Sequence, residues 1–301
     1  MSTVLDQPTF ADREALADGG ATDFAAATDR AAADHHARRG KRERLLRWLA
    51  PSAIALAALG LWEFVVWWNQ IPHYILPGPS LVAQSLYEDW GTLSGSLLVT
   101  LQITFMALAV AIAGGVGLAV LFSLSKWVEL ALFPFAVILQ VTPIVAIAPL
   151  ILIYVDSTYA ALLICAWIVA FFPILSNTTL GLNSADHNLQ NLFELYGASR
   201  WQTMRFLRLP AAMPYFLGGL KIAGGLALIG AIVAEFAAGS AGSGSGLAYR
   251  ILEAGYRLDI PRMFAALVLI SLTGIAIFLT FSALSHFLLR HWHESAVKRE
   301  S

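Results

Sequence analysis

The chain has 301 residues, of which 58% are hydrophobic and 13% charged, with a formal net charge of −1. Soluble domains carry about 25% charged residues, so this composition is natural only if most of the surface faces lipid. No acidic or basic excess points to nucleic acid, and the single cysteine, Cys165 in an apolar run, excludes an intrachain disulfide.

Residues 1–44 are polar, rich in Ala and Asp up to about Arg30, and lack the basic-then-apolar order of a secretory signal. They are expected to be a disordered cytoplasmic tail ahead of a membrane domain over 45–290, with a second tail at 291–301. The pairs His35-His36 and His291/His293 have no further ligands nearby, so solvated tails explain them better than a metal does.

A span needs roughly 20 apolar residues, and its backbone must be helical to satisfy itself in lipid. Six stretches qualify: Trp48–Trp68, Leu97–Leu124, Val128–Val155, Tyr159–Leu180, Pro210–Ala238 and Met263–Leu289. The fold class is therefore an all-α polytopic bundle. Arg38, Arg39, Lys41, Arg42, Arg44, Arg47, Lys126, Arg200, Arg205, Arg208, Arg290, Lys298 and Arg299 fall on one side if both termini are inside, which the positive-inside bias favours. The opposite loops hold Arg250, Arg257 and Arg262 only. Trp62, Trp67, Trp68 and Trp90 sit near the proposed outer boundary, where amphipathic rings prefer to lie.

Glycines cluster in the second span (Gly114, Gly115, Gly117) and the fifth (Gly218, Gly219, Gly224, Gly225), as expected of closely packed central helices. Pro134, Pro143 and Pro149 interrupt the third span and Pro173 the fourth. Each bend suits a translocation path or plain packing equally well. Gln140, Thr142 and Pro143 are path candidates on this ground, with Trp167 better explained as core. Ionisable residues within spans are costly and are functional candidates by default: Glu63, Lys221 and Glu235. Lys221 is placed early enough in its span to snorkel. Glu235 is read as lining the outer end of the path or as a structural ion pair.

The most patterned stretch is the loop 183–210. Leu189, Leu192, Phe193 and Tyr196 recur at i, i+3, i+4 and i+7, which makes one apolar face of a helix. Asp186 is its N-cap and Gly197 its left-handed end. Ser199 and Gln202 form a capping box for a second short helix, which Leu209-Pro210 is expected to stop. The polar face of the first helix, Asn188, Gln190, Asn191 and Glu194, has no Lys or Arg. That favours a protein partner over a lipid surface. Further on, Gly239–Gly246 reads GSAGSGSG without a following Lys-Ser/Thr, so it is a linker rather than a phosphate loop. It leads to a polar segment, 247–262, suited to contact another protein. No catalytic constellation and no metal-ligand set is present in the sequence.

Gly197 to Pro210, ending in Leu-Pro, resembles the cytoplasmic signature loop of permeases from binding-protein-dependent ABC importers. Asn191-Leu192-Phe193 stand where that family has Glu-Ala-Ala, and the acidic residue is displaced to Glu194. Leu76-Pro77-Gly78-Pro79-Ser80, Pro143–Leu150, Phe172–Thr178 and Gly225–Phe236 are similar in order and spacing to the nitrate/sulfonate/taurine-type branch.

The resemblance implies a permease of the bacterial inner membrane, fed by a periplasmic solute-binding protein and paired with a second permease copy. A separate ATPase dimer would hold the ATP, so this chain itself binds no cofactor. It implies a coupling element made of Asp186, Asn191, Leu192, Phe193, Glu194, Tyr196, Gly197, Ala198, Ser199, Trp201, Leu209 and Pro210. It suggests a small anion or a vitamin-precursor molecule as solute. An ATP-independent carrier is the alternative, but it would need more intramembrane carboxylates or histidines than the spans offer.

Overall fold

The computed structural model describes residues 49–239 and 244–290. The two expected tails, both histidine pairs and residues 240–243 of the Gly/Ser run lie outside the described residues. The chain divides into two units, residues 1–68 and 69–301. In the first, α1 (Leu49–Trp68) is long and apolar enough to span a membrane. The rings of Phe64 and Trp68, one turn apart, stack at 5.7 Å.

In the second unit every described element is helical: α2 (Pro79–Glu88), α3 (Trp90–Leu124), α4 (Lys126–Val141), α5 (Ile144–Tyr154), α6 (Thr158–Leu182), α7 (His187–Leu195), α8 (Arg200–Thr203), α9 (Leu209–Ala238), α10 (Leu247–Tyr256) and α11 (Ile260–Leu289). Five helices of the described residues pass as spans, or six if the bent pair α4 and α5 is one span.

In that pair the bend expected of the third span falls at one of its three prolines. The helices meet at 100°. The break falls at Thr142-Pro143, where Thr142 is extended (φ −70°, ψ 122°). A residue before proline is pushed out of the helical region by the ring. Pro134, Pro149 and Pro173 lie inside continuous helices instead.

α3 starts before the expected boundary. Its first turns are polar, but Leu93 is buried there with Val82, Leu247, Ala265, Ala266 and Leu269. Tertiary burial, not local hydropathy, sets this end. The short α2 and α10 were not visible as helices in the sequence. α2 opens on a proline in its first turn, where the missing N–H costs nothing.

The core lies among α3, α6 and α9. Two glycines of α9 set its distance from α6. A Cβ on Gly219 would come within 2.8 Å of the Pro173 carbonyl oxygen, and one on Gly230 within 2.8 Å of the Ala166 Cα. Backbone cannot yield as a side-chain tip can. Without a hydrophobic drive between helices, such close approach is what holds them together. Gly219→Val is expected to separate α6 from α9 and cost about 1–3 kcal/mol, read as a lowered melting temperature in detergent. Unchanged melting would mean that α6 and α9 are not locked there.

The second short helix does not stop at Leu209-Pro210, which is a further correction. Helical backbone runs without interruption from Arg200 to Ala238. Met204–Arg208 is a π-turn, with the Leu209 N–H reaching back to Met204 O. The wider turn accommodates Pro210, which has no N–H to give and would otherwise crowd the preceding carbonyl.

Candidate functional site

Asp186 accepts hydrogen bonds from the N–H groups of Asn188 (2.6 Å) and Leu189 (3.4 Å), so it caps α7. At the other end Gly197 has φ +71°. Its N–H donates to Glu194 O and that of Ala198 to Phe193 O, both at 2.9 Å. This double bond pattern with a left-handed glycine satisfies the last carbonyls of a helix. The capping box is closed in both directions: Ser199 N–H donates to Gln202 Oε1 (2.7 Å), and Gln202 N–H to Ser199 Oγ (3.3 Å). The two short helices are thus set at a fixed angle by local chemistry alone.

Arg208 fastens this elbow to the bundle. Its guanidinium donates to Ser123 Oγ (2.8 Å) and Ser123 O (3.2 Å) at the end of α3, and to Gln190 Oε1 (3.3 Å) on α7. Gln190 in turn donates to Ala185 O (2.8 Å). The sequence pointed to Arg208 only as a cation near a helix end. Its partner Ser123 lies far away in the chain, so spacing gives no signal for the pair. Behind the elbow is a polar cleft of about 290 Å³ that includes Ser123, Gln190, Glu194, Ala198 and Arg208.

With Gln190 facing inward, the apolar face of α7 points away from the bundle. Leu192 is 45% exposed and Tyr196 82%. Leu189, Leu195, Trp201 and Phe206 are exposed as well, the second and fourth unforeseen. Phe193 is half-buried, which makes it a weaker outward anchor than the sequence suggested. Asn191 and Glu194 are exposed. Leu209 and Pro210 belong to the start of α9.

Of the path candidates, Gln140, Thr142 and Pro143 line one cleft of about 450 Å³ beside the α4/α5 bend, with Ile168, Pro173 and Leu226. Trp167 packs on Phe171 at 5.1 Å between ring centres, as expected of a core residue.

Glu235 is not in that cleft. It is 2% exposed and forms no ion pair among the described residues, so the expected pair is replaced by a hydrogen-bond node. Its carboxylate accepts from Thr100 Oγ1 (2.8 Å) on α3 and from the Ala248 N–H (3.0 Å) at the start of α10. Thr100 Oγ1 also accepts from the Leu247 N–H (2.9 Å). A buried carboxylate and hydroxyl thereby take up orphan N–H groups of a helix start. A Cβ on Gly246 would overlap the Glu235 carboxylate. No periodicity connects Thr100, Glu235 and Ala248, so only the tertiary structure reveals this node.

The arginines that stood against the orientation rule are paired in the same region. Arg250 and Arg257 bond Glu253 at 2.8 and 2.9 Å, and Arg262 lies 3.6 Å from Asp89. Arg250 also donates to Ser96 Oγ (2.8 Å), tying α10 to α3. The hydrogen bond from Arg250, with the charges of the three arginines, holds the Glu253 carboxyl below its ordinary value. This stabilising contribution is present above the usual glutamate range and fades as the pH falls through the lowered value.

The family model for the inner membrane component of binding-protein-dependent transport systems matches residues 111–295. A riboflavin transport system permease protein of Chloroflexus aurantiacus is 34% identical, over 79% of this chain and 87% of that one. A formylaminopyrimidine transport permease protein of Halalkalibacterium halodurans is 32% identical, over 80% and 95%. A taurine transport system permease protein of Escherichia coli is 27% identical, over 86% and 95%. Among solved structures, an amino acid ABC transporter chain shares the fold with a TM-score of 0.55 at 19% identity, covering 69% of this chain and 97% of that one. The match over well over half of the chain agrees with the apolar helices, and the chain belongs to the family of binding-protein-dependent inner membrane transport components: it is a multi-pass permease of an ABC importer in the bacterial inner membrane.

Proposed function

We propose that the elbow formed by α7, Gly197 and α8 is the element through which a separate ATPase drives this permease. One observation carries the reading. The apolar face of α7 points outward, with Leu192 and Tyr196 exposed, while Arg208 and Gln190 fix the elbow to α3 and α9. A rigid helix with an uncovered apolar stripe suits a groove on a protein partner. Its fastening to two span ends turns movement of that partner into movement of the bundle.

In this reading the elbow is cytoplasmic, both termini are inside, and α2 and α10 face the periplasm and the solute-binding protein. ATP is bound and hydrolysed on the partner, and two copies of this chain enclose the path. The cleft at Gln140, Thr142 and Pro143 contributes to its wall. Membership in this family favours the importer over the ATP-independent carrier. The solute is a small molecule of the vitamin-precursor or sulfonate, nitrate and taurine class, as the names of the relatives indicate.

The test is copurification. Leu192→Asp and Tyr196→Asp place a charge on the outward face and leave the capping side chains Asp186, Ser199 and Gln202 in place. Each is expected to weaken association with the ATPase by at least about tenfold, since buried anchors at interfaces carry about 2 kcal/mol or more. The permease should still insert and melt as the wild type does. An ATPase that stays bound to the double variant would refute the assignment.

A further inference from the structure

Lys221 on α9 stands midway between Arg208, just before that helix, and Glu235, near its end. Those two residues are fixed at opposite ends of the span by Ser123 and Thr100. At ~1.5 Å per residue, Lys221 is roughly 20 Å along the axis from each. Four methylenes do not cover that distance, so the ammonium reaches neither Arg208 nor Glu235.

Among the described residues no hydrogen bond or ion pair forms on its ammonium. Lys221 is half-buried, and one flank of it is open. A Cβ on Gly218 or on Gly225, the neighbours one turn away on either side, would meet nothing within 4 Å. Ile222 beside it is exposed. The opposite face of the same helix is closed against α6 through Gly219 and Gly230, and the flank at Gly224, three residues on from Lys221, is closed against α11 by Phe281 and Ile277.

A half-buried cation within an apolar span is costly without a counter-charge, and such residues face water-filled cavities or pair with one another. A second copy of this chain supplies no free counter-charge. Within its spans the described carboxylates are Glu235, buried and already bonded, Glu129, paired with Lys126, and Glu63, which has an interaction of its own. A second copy placed symmetrically would add another lysine, and two cations at one level make a stronger site for an anion. No other cation lies inside α3, α6 or α9.

We propose that Lys221 is the anion-recognition point of the translocation path, taking the carboxylate, sulfonate or phosphate group of the solute midway across the membrane. The inference rests on the importer reading and narrows its solute to molecules that carry such a group.

The test does not require the solute. Cys165, the single native cysteine, is buried, so a thiol introduced as Gly225→Cys is read alone. In the full chain assembled with its ATPase, with and without ATP, its reaction with anionic sulfonatoethyl and cationic trimethylammonioethyl methanethiosulfonate is timed. Water access in at least one nucleotide state is expected, with a preference for the anionic reagent. A unit charge about one helical turn away changes that preference by about tenfold or more. Lys221→Met should therefore abolish the preference and Lys221→Arg should keep it. Labelling by a membrane-permeant maleimide only, or a preference unaltered in Lys221→Met, overturns the proposal. A failure here with the ATPase still bound leaves the elbow reading intact. Loss of the ATPase in the wild type would refute the elbow reading, and the labelling would still report on Lys221.

Discussion

Replacing Gly197 with proline is expected to reduce solute uptake by about 100-fold while leaving membrane insertion unchanged. Gly197 holds φ +71°, and proline is locked near −65°. Its N–H also donates to Glu194 O, and proline has none to give. The end of α7 must therefore unwind, and the capping box at Ser199 loses its fixed relation to the apolar face. Gly197 itself lies outside every span-length helix, so insertion is untouched. Gly197→Ala is the graded control. A left-handed alanine costs roughly 1–2 kcal/mol, which predicts a several-fold loss only. Uptake by intact cells, with permease content measured in the membrane fraction, separates the cases. Wild-type uptake by the proline variant would show that the elbow geometry is dispensable. Phe193→Asp is a poorer test, because Phe193 is half-buried and its loss would mix misfolding with undocking.

Glu235→Ala is expected to lower the stability of the bundle most. It leaves the Thr100 hydroxyl and the Ala248 N–H without their acceptor in a buried site, and an orphaned buried group costs about 1–3 kcal/mol. α10 should loosen as a unit, which hydrogen exchange over Leu247–Tyr256 would detect alongside thermal melting in detergent. Glu235→Gln keeps one acceptor oxygen and should fall between. Gly246→Ala should act in the same direction, since its methyl group would occupy the space of the carboxylate. If Glu235→Ala melts as the wild type does but no longer transports, the residue acts in the path and not as a latch. Unchanged melting and unchanged transport would reject both roles.

The elbow was legible in the sequence because its chemistry is local. Asp186, Gly197, Ser199 and Gln202 each satisfy backbone groups within a few residues of themselves, so identity and spacing suffice. The π-turn was not legible, because a proline after Leu209 gives the same signal whether it ends a helix or follows a widened turn. Nothing local to Thr142-Pro143 singles it out among the three prolines of that span as the break. Glu235 was recognised as costly, yet its partners come from α3 and α10, and no window of sequence contains all of them.

The sequence by itself determined the class of the protein and its surroundings. Apolar runs of span length, few charges and self-sufficient caps leave a helical membrane bundle as the solution, because backbone in lipid has no partner but itself. The tertiary structure alone decided which faces are closed. Gly219 and Gly230 pack against backbone whereas Gly218 and Gly225 face open space, although residue type is the same at all four. The difference lies in the rotation of α9 against α6. That rotation buries one glycine face and leaves Lys221 on the other, and it is set by packing across the whole interface, which no single residue encodes.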